Sequence, residues 1–270
     1  MKIDYRTSVG RELMIIAGPC VIENEKICLE IAGFMKKLCA SMGLPYVFKA
    51  SFDKANRSSG KSFRGLGMKA GLKTLGKIGE TLEIPLLTDI HEAIHAEETA
   101  EVVDILQIPA FLCRQTNLLE AAGKTGKTVN IKKGQFMAPE DMKGAVDKVR
   151  ATGNNNVMLT ERGSSFGYHN LVVDMRSLVI MRGLGVPVVF DATHSVQLPG
   201  GLGHASGGQR QFVRPLAMAA AAVGIDALFL EVHPDPEKAL SDGPNTIALA
   251  DVAEIIKTVN EIYELQRKSL

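Results

Sequence analysis

The 270-residue sequence lacks a charge excess of either sign, because 31 lysines and arginines are balanced by 30 aspartates and glutamates. A chain this close to neutrality has no overall field that would recruit nucleic acid or an anionic membrane surface. It also lacks any apolar run near the ~20 residues that span a bilayer, and residues 1–11 lack the apolar stretch of a signal peptide. We therefore expect a cytoplasmic protein without a nucleic-acid or membrane partner.

Cysteine is scarce and forms no motif. The four cysteines (Cys20, Cys28, Cys39 and Cys113) show no CxxC spacing, so we expect free thiols in a reducing compartment rather than disulfides. Apolar residues, in contrast, make up 46% of the chain, which is enough to bury a large core. Length and composition together predict one α/β domain over residues 1–270.

Short apolar or β-branched runs alternate with longer segments of helical periodicity eight times along the chain. Most of the short runs are continuously apolar, which is typical of parallel strands covered on both faces. The predicted strands are Leu13–Gly18, Tyr46–Ser51, Ile84–Asp89, Ile105–Ala110, Thr128–Lys132, Val157–Thr160, Val186–Asp191 and Ala227–Val232. The predicted helices are Asn24–Met42, Gly67–Leu82, His95–Val103, Asn117–Lys124, Pro139–Thr152, Val173–Leu184, Arg214–Val223 and Ile247–Lys268.

Eight such units predict a TIM (β/α)8 barrel rather than a doubly wound sheet, which usually has fewer strands. Residues 1–12 precede the first strand, and we expect this short extension to cap the bottom of the barrel. The glycine-rich segment Gly200–Gly208 matches no nucleotide-binding fingerprint. Its position predicts a mobile lid over the barrel mouth.

Polar clusters follow the predicted strands at the end where this fold carries its active sites. Because buried charges are costly unless they are paired or used, this convergence predicts an enzyme. Six cations gather there in a near-neutral chain, which predicts an anionic ligand with more than one phosphate or carboxylate. They are Lys49, Lys54, Arg57, Arg114, Lys132 and Arg162.

Four residues of metal-ligating type lie on the first, seventh and eighth units, namely Cys20, His194, Glu231 and Asp242. The eighth strand of a closed barrel lies beside the first, so we expect these side chains to meet. A thiolate, an imidazole and two carboxylates suit a divalent transition metal such as Fe2+, Mn2+ or Zn2+. Structural interpretations stay open for Cys20 as a buried apolar residue, for His194 as a hydrogen-bonding residue at the barrel top and for Asp242 as a turn residue.

Four segments closely resemble the 3-deoxy-D-manno-octulosonate 8-phosphate synthase family: IAGPC (16–20), FKASFDKANRSS (48–59), QIPAFLCRQ (107–115) and DATHSVQLPGG (191–201). The likeness runs from about residue 13 to residue 245, and its motifs are long and specific. It implies a transferase that condenses phosphoenolpyruvate with arabinose 5-phosphate and water in lipopolysaccharide synthesis. It also implies a homotetramer.

The resemblance further implies roles for individual residues. Lys49, Lys54, Lys132 and Arg162 match the family's phosphoenolpyruvate-binding cations, and Asn56, Arg57 and Ser58 match its sugar-phosphate loop. Arg114 is expected to reach the sugar phosphate, across a subunit boundary, and Gln107 is assigned to the substrate site. Cys20 implies the metal-dependent class, with His194, Glu231 and Asp242 as the other ligands. Cys20, His194, Asp242 and Lys132 are the expected catalytic residues, and the general base is either Asp242 or a metal-bound water.

Three alternatives remain at this point. The first is the related 3-deoxy-arabino-heptulosonate 7-phosphate synthases, which take erythrose 4-phosphate. Their motif looks like Lys-Pro-Arg-Thr where this chain has Lys-Ala-Asn-Arg-Ser at residues 54–58. Asn56 adds a hydrogen-bonding side chain that favours the longer, five-carbon acceptor. An aldolase that forms a Schiff base at Lys49 is the second alternative, and a non-catalytic phosphosugar-binding barrel is the third.

Overall fold

The computed structural model describes residues 12–57, 59–201 and 206–268. Within these ranges, eight parallel strands close into a barrel. The strands are β1 (Met14–Gly18), β2 (Tyr46–Lys49), β3 (Leu86–Asp89), β4 (Ile105–Ile108), β5 (Thr128–Lys132), β6 (Val157–Glu161), β7 (Val188–Asp191) and β8 (Ala227–His233). Each strand pairs with its neighbours in chain order, and β8 closes the barrel by pairing with β1, with Glu231 opposite Gly18.

Helices alternate with the strands and surround the barrel. They are α1 (Glu25–Ser41), α2 (Met68–Leu82), α3 (His95–Val102), α4 (Thr116–Lys124), α5 (Met142–Arg150), α6 (Arg176–Arg182), α7 (Val213–Val223) and α8 (Leu249–Lys268). Asn24 caps α1, because its side-chain oxygen accepts a hydrogen bond from the backbone N–H of Ile27 at 3.0 Å. Among the described residues, no helix is both long enough and apolar enough to cross a membrane.

The closed parallel barrel confirms the predicted fold class, and the differences from the predicted elements lie at their ends. The helix predicted at Pro139–Thr152 is observed only at Met142–Arg150, because residues 139–141 form successive turns. The helix predicted at Ile247–Lys268 begins at Leu249, because Ile247–Ala248 pairs in parallel with the end of β8. Residues 1–11 of the predicted cap, which was expected over residues 1–12, lie outside the described ranges, so the cap stays a prediction.

Two short hairpins at the barrel mouth have no counterpart in the predicted elements. Ser164–Ser165 pairs with Leu171–Val172, and Gln197–Leu198 pairs with Gly207–Gly208. The second hairpin overlaps the predicted lid, of which residues 202–205 lie outside the described ranges. Motion of this segment stays a prediction.

The barrel interior changes character along the strands. Its first half is an apolar cluster of Met14, Ile16, Val47, Leu87, Ile105, Met158, Val189, Ala227 and Phe229. Strand side chains alternate between two faces, so positions two residues apart point the same way. Two positions beyond the apolar residues, the interior is polar, with Lys49, Asp89, Gln107, Thr160, Asp191 and Glu231. Reactive groups are therefore collected at the carboxyl ends of the strands.

Candidate active site

A cavity of about 490 Å³ opens at the carboxyl ends of the strands, where TIM barrels carry their active sites. Its wall includes eight of the predicted site residues: Lys49, Lys54, Asn56, Arg57, Lys132, Arg162, His194 and Asp242. Cys20 and Glu231 are buried next to this wall, since Cys20 contacts Asp242 and Glu231 contacts Lys49. Ser58 lies outside the described residues. The structure thus brings most of the predicted residues to one small-molecule-sized space.

The predicted metal ligands form a compact cluster. The ligand atoms of Cys20, Glu231 and Asp242 all lie within 4.8 Å of one another, and His194 Nε2 is 3.6 Å from Glu231 Oε1 and 3.9 Å from Asp242 Oδ2. Glu231 Oε2 is buried and has no hydrogen-bond partner among the described residues. Leaving a buried carboxylate oxygen unpartnered is costly, and a divalent cation would satisfy it. The donor set and this oxygen both fit a divalent transition metal.

Acidic neighbours surround the Cys20 thiol. It donates a hydrogen bond to Asp242 Oδ2 at 3.1 Å, and its sulfur lies 2.7 Å from Ser241 Oγ. Burial, and then the charges of Asp242 and Glu231, raise the pKa of Cys20 well above its usual range. Because a cysteine ligates metal as the thiolate, cation binding at this cluster has to release the Cys20 proton.

Asp191, at the end of β7, orients His194. Asp191 Oδ2 lies 2.8 Å from His194 Nδ1, and Oδ1 accepts a hydrogen bond from the His194 backbone N–H at 2.9 Å. This contact directs Nε2 toward Glu231 and Asp242, as is usual for a metal-ligating histidine. Burial opposes the charge of Asp191, but His194 and Lys132 outweigh it and hold the pKa of Asp191 well below its usual range. The sequence analysis missed this role, although a carboxylate three residues before a histidine signals it.

Three lysines in the cavity wall approach buried carboxylates. Lys49 Nζ is 3.0 Å from Glu231 Oε1, and Lys54 Nζ is 3.8 Å from the same oxygen. Lys132 Nζ is 2.6 Å from Asp191 Oδ2. Burial lowers the pKa of Lys132, and the attraction of Asp191 only partly opposes that shift. The lysines are thus fixed in position before any ligand binds.

Two arginines in the wall carry donors that find no partner in the described part of the chain. Arg162 Nη2 donates a hydrogen bond to Gln197 Oε1 at 3.0 Å, whereas Nη1 is buried without a partner among the described residues. Arg57 Nε donates to the Phe63 carbonyl at 3.0 Å, and its Nη2 is likewise buried without a partner there. Guanidinium N–H groups match the geometry of carboxylate and phosphate oxygens. Both arginines are therefore placed to receive anionic groups.

A buried ion pair shapes the turn that carries Arg162. Glu161 Oε1 accepts hydrogen bonds from the backbone N–H groups of Arg162 at 3.0 Å and Gly163 at 2.6 Å, and lies 3.5 Å from Lys133 Nζ. Its other oxygen accepts from Ser177 Oγ at 2.6 Å. Gly163 has φ +89°, which favours glycine. The sequence analysis assigned no role to Glu161 or Lys133.

Gln107 does not line the cavity formed by the described residues. Its Nε2 donates to Asp89 Oδ1 at 2.6 Å, and its Oε1 accepts from Asn130 Nδ2 at 2.9 Å. Thr160 Oγ1 in turn donates to Asn130 Oδ1 at 2.7 Å. Both ends of the Gln107 amide are thus used, and they hold Asp89, which does line the cavity.

The last two predicted substrate residues are exposed. Asn56 lies in the loop after β2, which is braced by the ion pair of Arg64 with Asp53 at 2.6 Å. The Arg114 side chain is exposed, and its carbonyl accepts a hydrogen bond from Lys148 Nζ at 2.9 Å. Asn56 lines the cavity, whereas Arg114 does not line the cavity of its own chain.

Similarity to known proteins extends over nearly the whole chain. A family model described as the DAHP synthetase I family matches residues 2–267. The 2-dehydro-3-deoxyphosphooctonate aldolase of Desulfotalea psychrophila is 57% identical over 253 residues, which cover 94% of this chain and 90% of the relative. The proteins of the same name from Geotalea uraniireducens and Fusobacterium nucleatum are 59% identical (93% of both chains) and 58% identical (94% of this chain, 92% of the relative). The chain therefore belongs to the DAHP synthetase I family, among the 2-dehydro-3-deoxyphosphooctonate aldolases.

Proposed function

We propose that the chain condenses phosphoenolpyruvate with D-arabinose 5-phosphate and water to give 3-deoxy-D-manno-octulosonate 8-phosphate and inorganic phosphate, in lipopolysaccharide synthesis. Relatives at 54–59% identity are named 2-dehydro-3-deoxyphosphooctonate aldolase, another name of this synthase. The structural observation that carries the proposal is one cavity with two features. It holds N–H groups of Arg162 and Arg57 that have no partner among the described residues, and it adjoins the metal-capable cluster of Cys20, His194, Glu231 and Asp242. This combination suits two anionic substrates, one of which carries the reacting aldehyde.

The cations divide between the two substrates. We assign Lys49, Lys54, Lys132 and Arg162 to the carboxylate and phosphate of phosphoenolpyruvate, with Gln107 acting through Asp89, and Asn56, Arg57 and Ser58 to the sugar phosphate. Cations fixed in advance stabilise the substrate charges and hold C3 of phosphoenolpyruvate near the aldehyde. A bond forms between C3 and the aldehyde carbon, water supplies the oxygen added at C2, and phosphate leaves.

Cys20, His194, Glu231 and Asp242 are the residues that would hold a divalent metal. When bound there, such an ion polarises or orients an oxygen of the sugar aldehyde or of water. The metal-dependent class implied by Cys20 rests on these four side chains. We propose Fe2+, Mn2+ or Zn2+ as the ion, because the thiolate and imidazole suit these better than Mg2+ or Ca2+.

Proton transfer is assigned to two groups of the cavity wall. Burial and Glu231 oppose the charge of Asp242, but Lys54 and His194 outweigh them and keep the pKa of Asp242 below its usual range. The Asp242 carboxylate is thus ionised, and the proton acceptor is either this carboxylate or a water at the cluster of Cys20, His194, Glu231 and Asp242. Lys132, held by its ion pair, is the complementary proton donor.

The alternatives are less well supported. A Schiff-base aldolase needs an amine free to attack a carbonyl carbon, whereas Lys49 Nζ already donates to Glu231 Oε1 and to the Cys20 carbonyl, both at 3.0 Å. An erythrose 4-phosphate synthase would share the barrel and the metal cluster, but the relatives carry the other name. A non-catalytic barrel would not need ion-paired cations beside a metal-capable cluster.

Phosphate release from phosphoenolpyruvate tests the proposal, with arabinose 5-phosphate and erythrose 4-phosphate as parallel acceptors. We expect release only with arabinose 5-phosphate, and loss of release after chelation that Mn2+ or Zn2+ restores. Release with erythrose 4-phosphate alone would overturn the choice of acceptor. Borohydride trapping of a keto substrate on Lys49 would instead favour the Schiff-base aldolase.

We also propose that the enzyme is one barrel domain that works as a homotetramer in the cytoplasm. The exposed side chain of Arg114 supports an assembly, because this arginine reaches a sugar phosphate only if a neighbouring subunit brings it to the cavity. Light scattering at working concentration tests the tetramer. An active monomer would remove Arg114 from the site.

A further inference from the structure

The Gln197 side chain lies between the anion-binding and metal-capable parts of the cavity. Its Oε1 accepts a hydrogen bond from Arg162 Nη2 at 3.0 Å, and its Nε2 donates to Asp242 Oδ1 at 3.1 Å. Gln197 also lines the cavity. The Gln197 side chain therefore contacts both a carboxylate of the metal-capable cluster and a guanidinium whose Nη1 has no partner within the described ranges.

The two partners fix the orientation of the Gln197 amide. A guanidinium has only donors and an ionised carboxylate has only acceptors, so the amide oxygen must face Arg162 and the amide nitrogen must face Asp242. A glutamate at this position would serve Arg162 but repel Asp242. A methionine of similar length would serve neither. The two hydrogen bonds of Gln197, which we call the bridge, therefore depend on an amide of this length.

The backbone places this amide without help from a ligand. The Gln197 N–H donates to the carbonyl of His194 at the end of a short 3-10 turn. Gln197 then begins the two-residue strand that pairs with Gly207–Gly208, with Gln197 opposite Gly208. The bridge is thus attached to the same segment that carries the histidine of the metal-capable cluster.

Each partner gives one atom to Gln197 and keeps another for the site. Arg162 uses Nη2 and leaves the buried Nη1 without a partner among the described residues. Asp242 uses Oδ1 and leaves Oδ2, which is 3.1 Å from the Cys20 sulfur and 3.9 Å from His194 Nε2. Gln197 thereby determines that Nη1 of Arg162 is left for an anion and that Oδ2 of Asp242 faces the metal-capable cluster.

We propose that Gln197 is a positioning residue that couples the phosphoenolpyruvate site at Arg162 to the metal site at Asp242. This inference rests on the proposed function for the identity of the anion. Without the bridge, the guanidinium and the carboxylate both gain freedom that ligand binding must remove. Loss of the Gln197 side chain therefore weakens the binding of two ligands of opposite charge. A residue that only lines the cavity, or one that only binds the anion, would not produce this double effect.

The test uses Gln197→Met, with Gln209→Met as the matched control. Gln209 lies just after the paired strand, and its side chain makes no hydrogen bond or ion pair within the described part of the chain. Zn2+ affinity is measured by competition with a chromophoric chelator in the absence of substrates. Phosphoenolpyruvate affinity is measured by calorimetry on the metal-free protein. Neither readout depends on turnover.

We expect Gln197→Met to weaken both affinities about fivefold to tenfold, the size of the one hydrogen bond lost at each partner, and Gln209→Met to change neither. An unchanged Zn2+ affinity, or an unchanged phosphoenolpyruvate affinity, overturns the coupling. If Gln197→Met does not fold, Gln197→Asn decides, because its amide is one carbon too short to reach both partners and we expect the same double loss. Absence of turnover in the wild-type protein contradicts the proposed function alone, since the Zn2+ measurement still decides the bridge.

Discussion

The two halves of the barrel interior are equally buried and chemically opposite. Val47 and Lys49 lie two positions apart on β2 and are at most 1% exposed, yet Val47 packs in the apolar cluster and Lys49 pairs with Glu231. Ile105 and Gln107 repeat this change on β4. Burial by itself stabilises an apolar side chain, whereas a buried charge is tolerated only with its partner in place. The apolar half therefore stabilises the fold. The polar half holds charged groups whose burial would destabilise the fold if they were not paired.

The largest expected effect comes from Lys49→Met, which breaks the charged half. It leaves the Glu231 carboxylate without its 3.0 Å partner, and the loss of one member of a buried pair costs about 3–5 kcal/mol of the free energy of unfolding. We expect phosphate release to fall at least about 100-fold as well, because the variant lacks a cation that we assign to phosphoenolpyruvate. Urea unfolding and steady-state kinetics measure the two losses.

The double variant Lys49→Met/Glu231→Gln is the control for this comparison. It removes both charges, so we expect it to recover part of the lost stability while activity stays low. Equal stabilities of the single and double variants would show that the two side chains are not energetically coupled.

Ile105→Ala breaks the apolar half. The side chain is fully buried in the apolar cluster, so its truncation should lower the free energy of unfolding by about 2–5 kcal/mol. We expect the KM for phosphoenolpyruvate to stay unchanged, because Gln107, two residues further, keeps both of its hydrogen bonds. A KM that rises severalfold in the folded variant would mean that the two halves are not separable.

The sequence predicts the fold better than the site for a physical reason. Each predicted strand depends on a local signal, a continuous apolar run, and each of the eight runs overlaps a barrel strand. The errors occur where a neighbour in space decides, as at Ile247–Ala248, which pairs with β8 instead of starting a helix. Periodicity along the chain carries no information about such a partner.

The site shows the same limit. The rule that strand ends carry chemistry predicts that Lys49, Lys132 and Arg162 meet, and all three lie in the wall of one cavity. It cannot assign Gln197, whose two partners lie 35 and 45 positions away in the chain. The rule also cannot distinguish an amide that lines the cavity from one that holds other side chains, because both occur at a strand end in the sequence. Gln107 is of the second kind, since it contacts Asp89 and Asn130.

Acid titration sharpens the comparison, because only the charged half responds to it. Burial opposes the charge of Asp89, but Lys49 and then Lys54 outweigh burial and hold the pKa of Asp89 well below its usual range. A carboxyl with a lowered folded pKa stabilises the protein above its unfolded pKa of about 3.9 and loses that contribution as the pH falls toward the folded value. We therefore expect the stability difference between the wild type and Asp89→Asn to be largest near pH 7.

Urea unfolding at a series of pH values measures this difference. The stability difference between the wild type and Asp89→Asn should become smaller below about pH 4. The decrease is up to about 1.4 kcal/mol for each tenfold difference in the proton affinity of Asp89 between the folded and unfolded states. The stability difference between the wild type and Ile105→Ala serves as the control, because no charge is removed and it should show no such step. A difference for Asp89→Asn that stays constant with pH would contradict the role of the lysines.

We expect the smallest loss in the free energy of unfolding for an ion pair at the surface. Comparing it with the buried pair shows how much burial contributes. Lys143 and Asp147, one turn apart on α5, approach to 2.5 Å, closer than Lys49 and Glu231 inside the barrel. Both surface side chains are more than half exposed, so water competes for each charge and Lys143→Ala should cost no more than about 0.5 kcal/mol. Urea unfolding of Lys143→Ala beside Lys49→Met makes the comparison at one temperature and salt concentration. A surface loss as large as the interior one would mean that distance rather than burial determines what an ion pair contributes, and the contrast between the two halves of the interior would lose its basis.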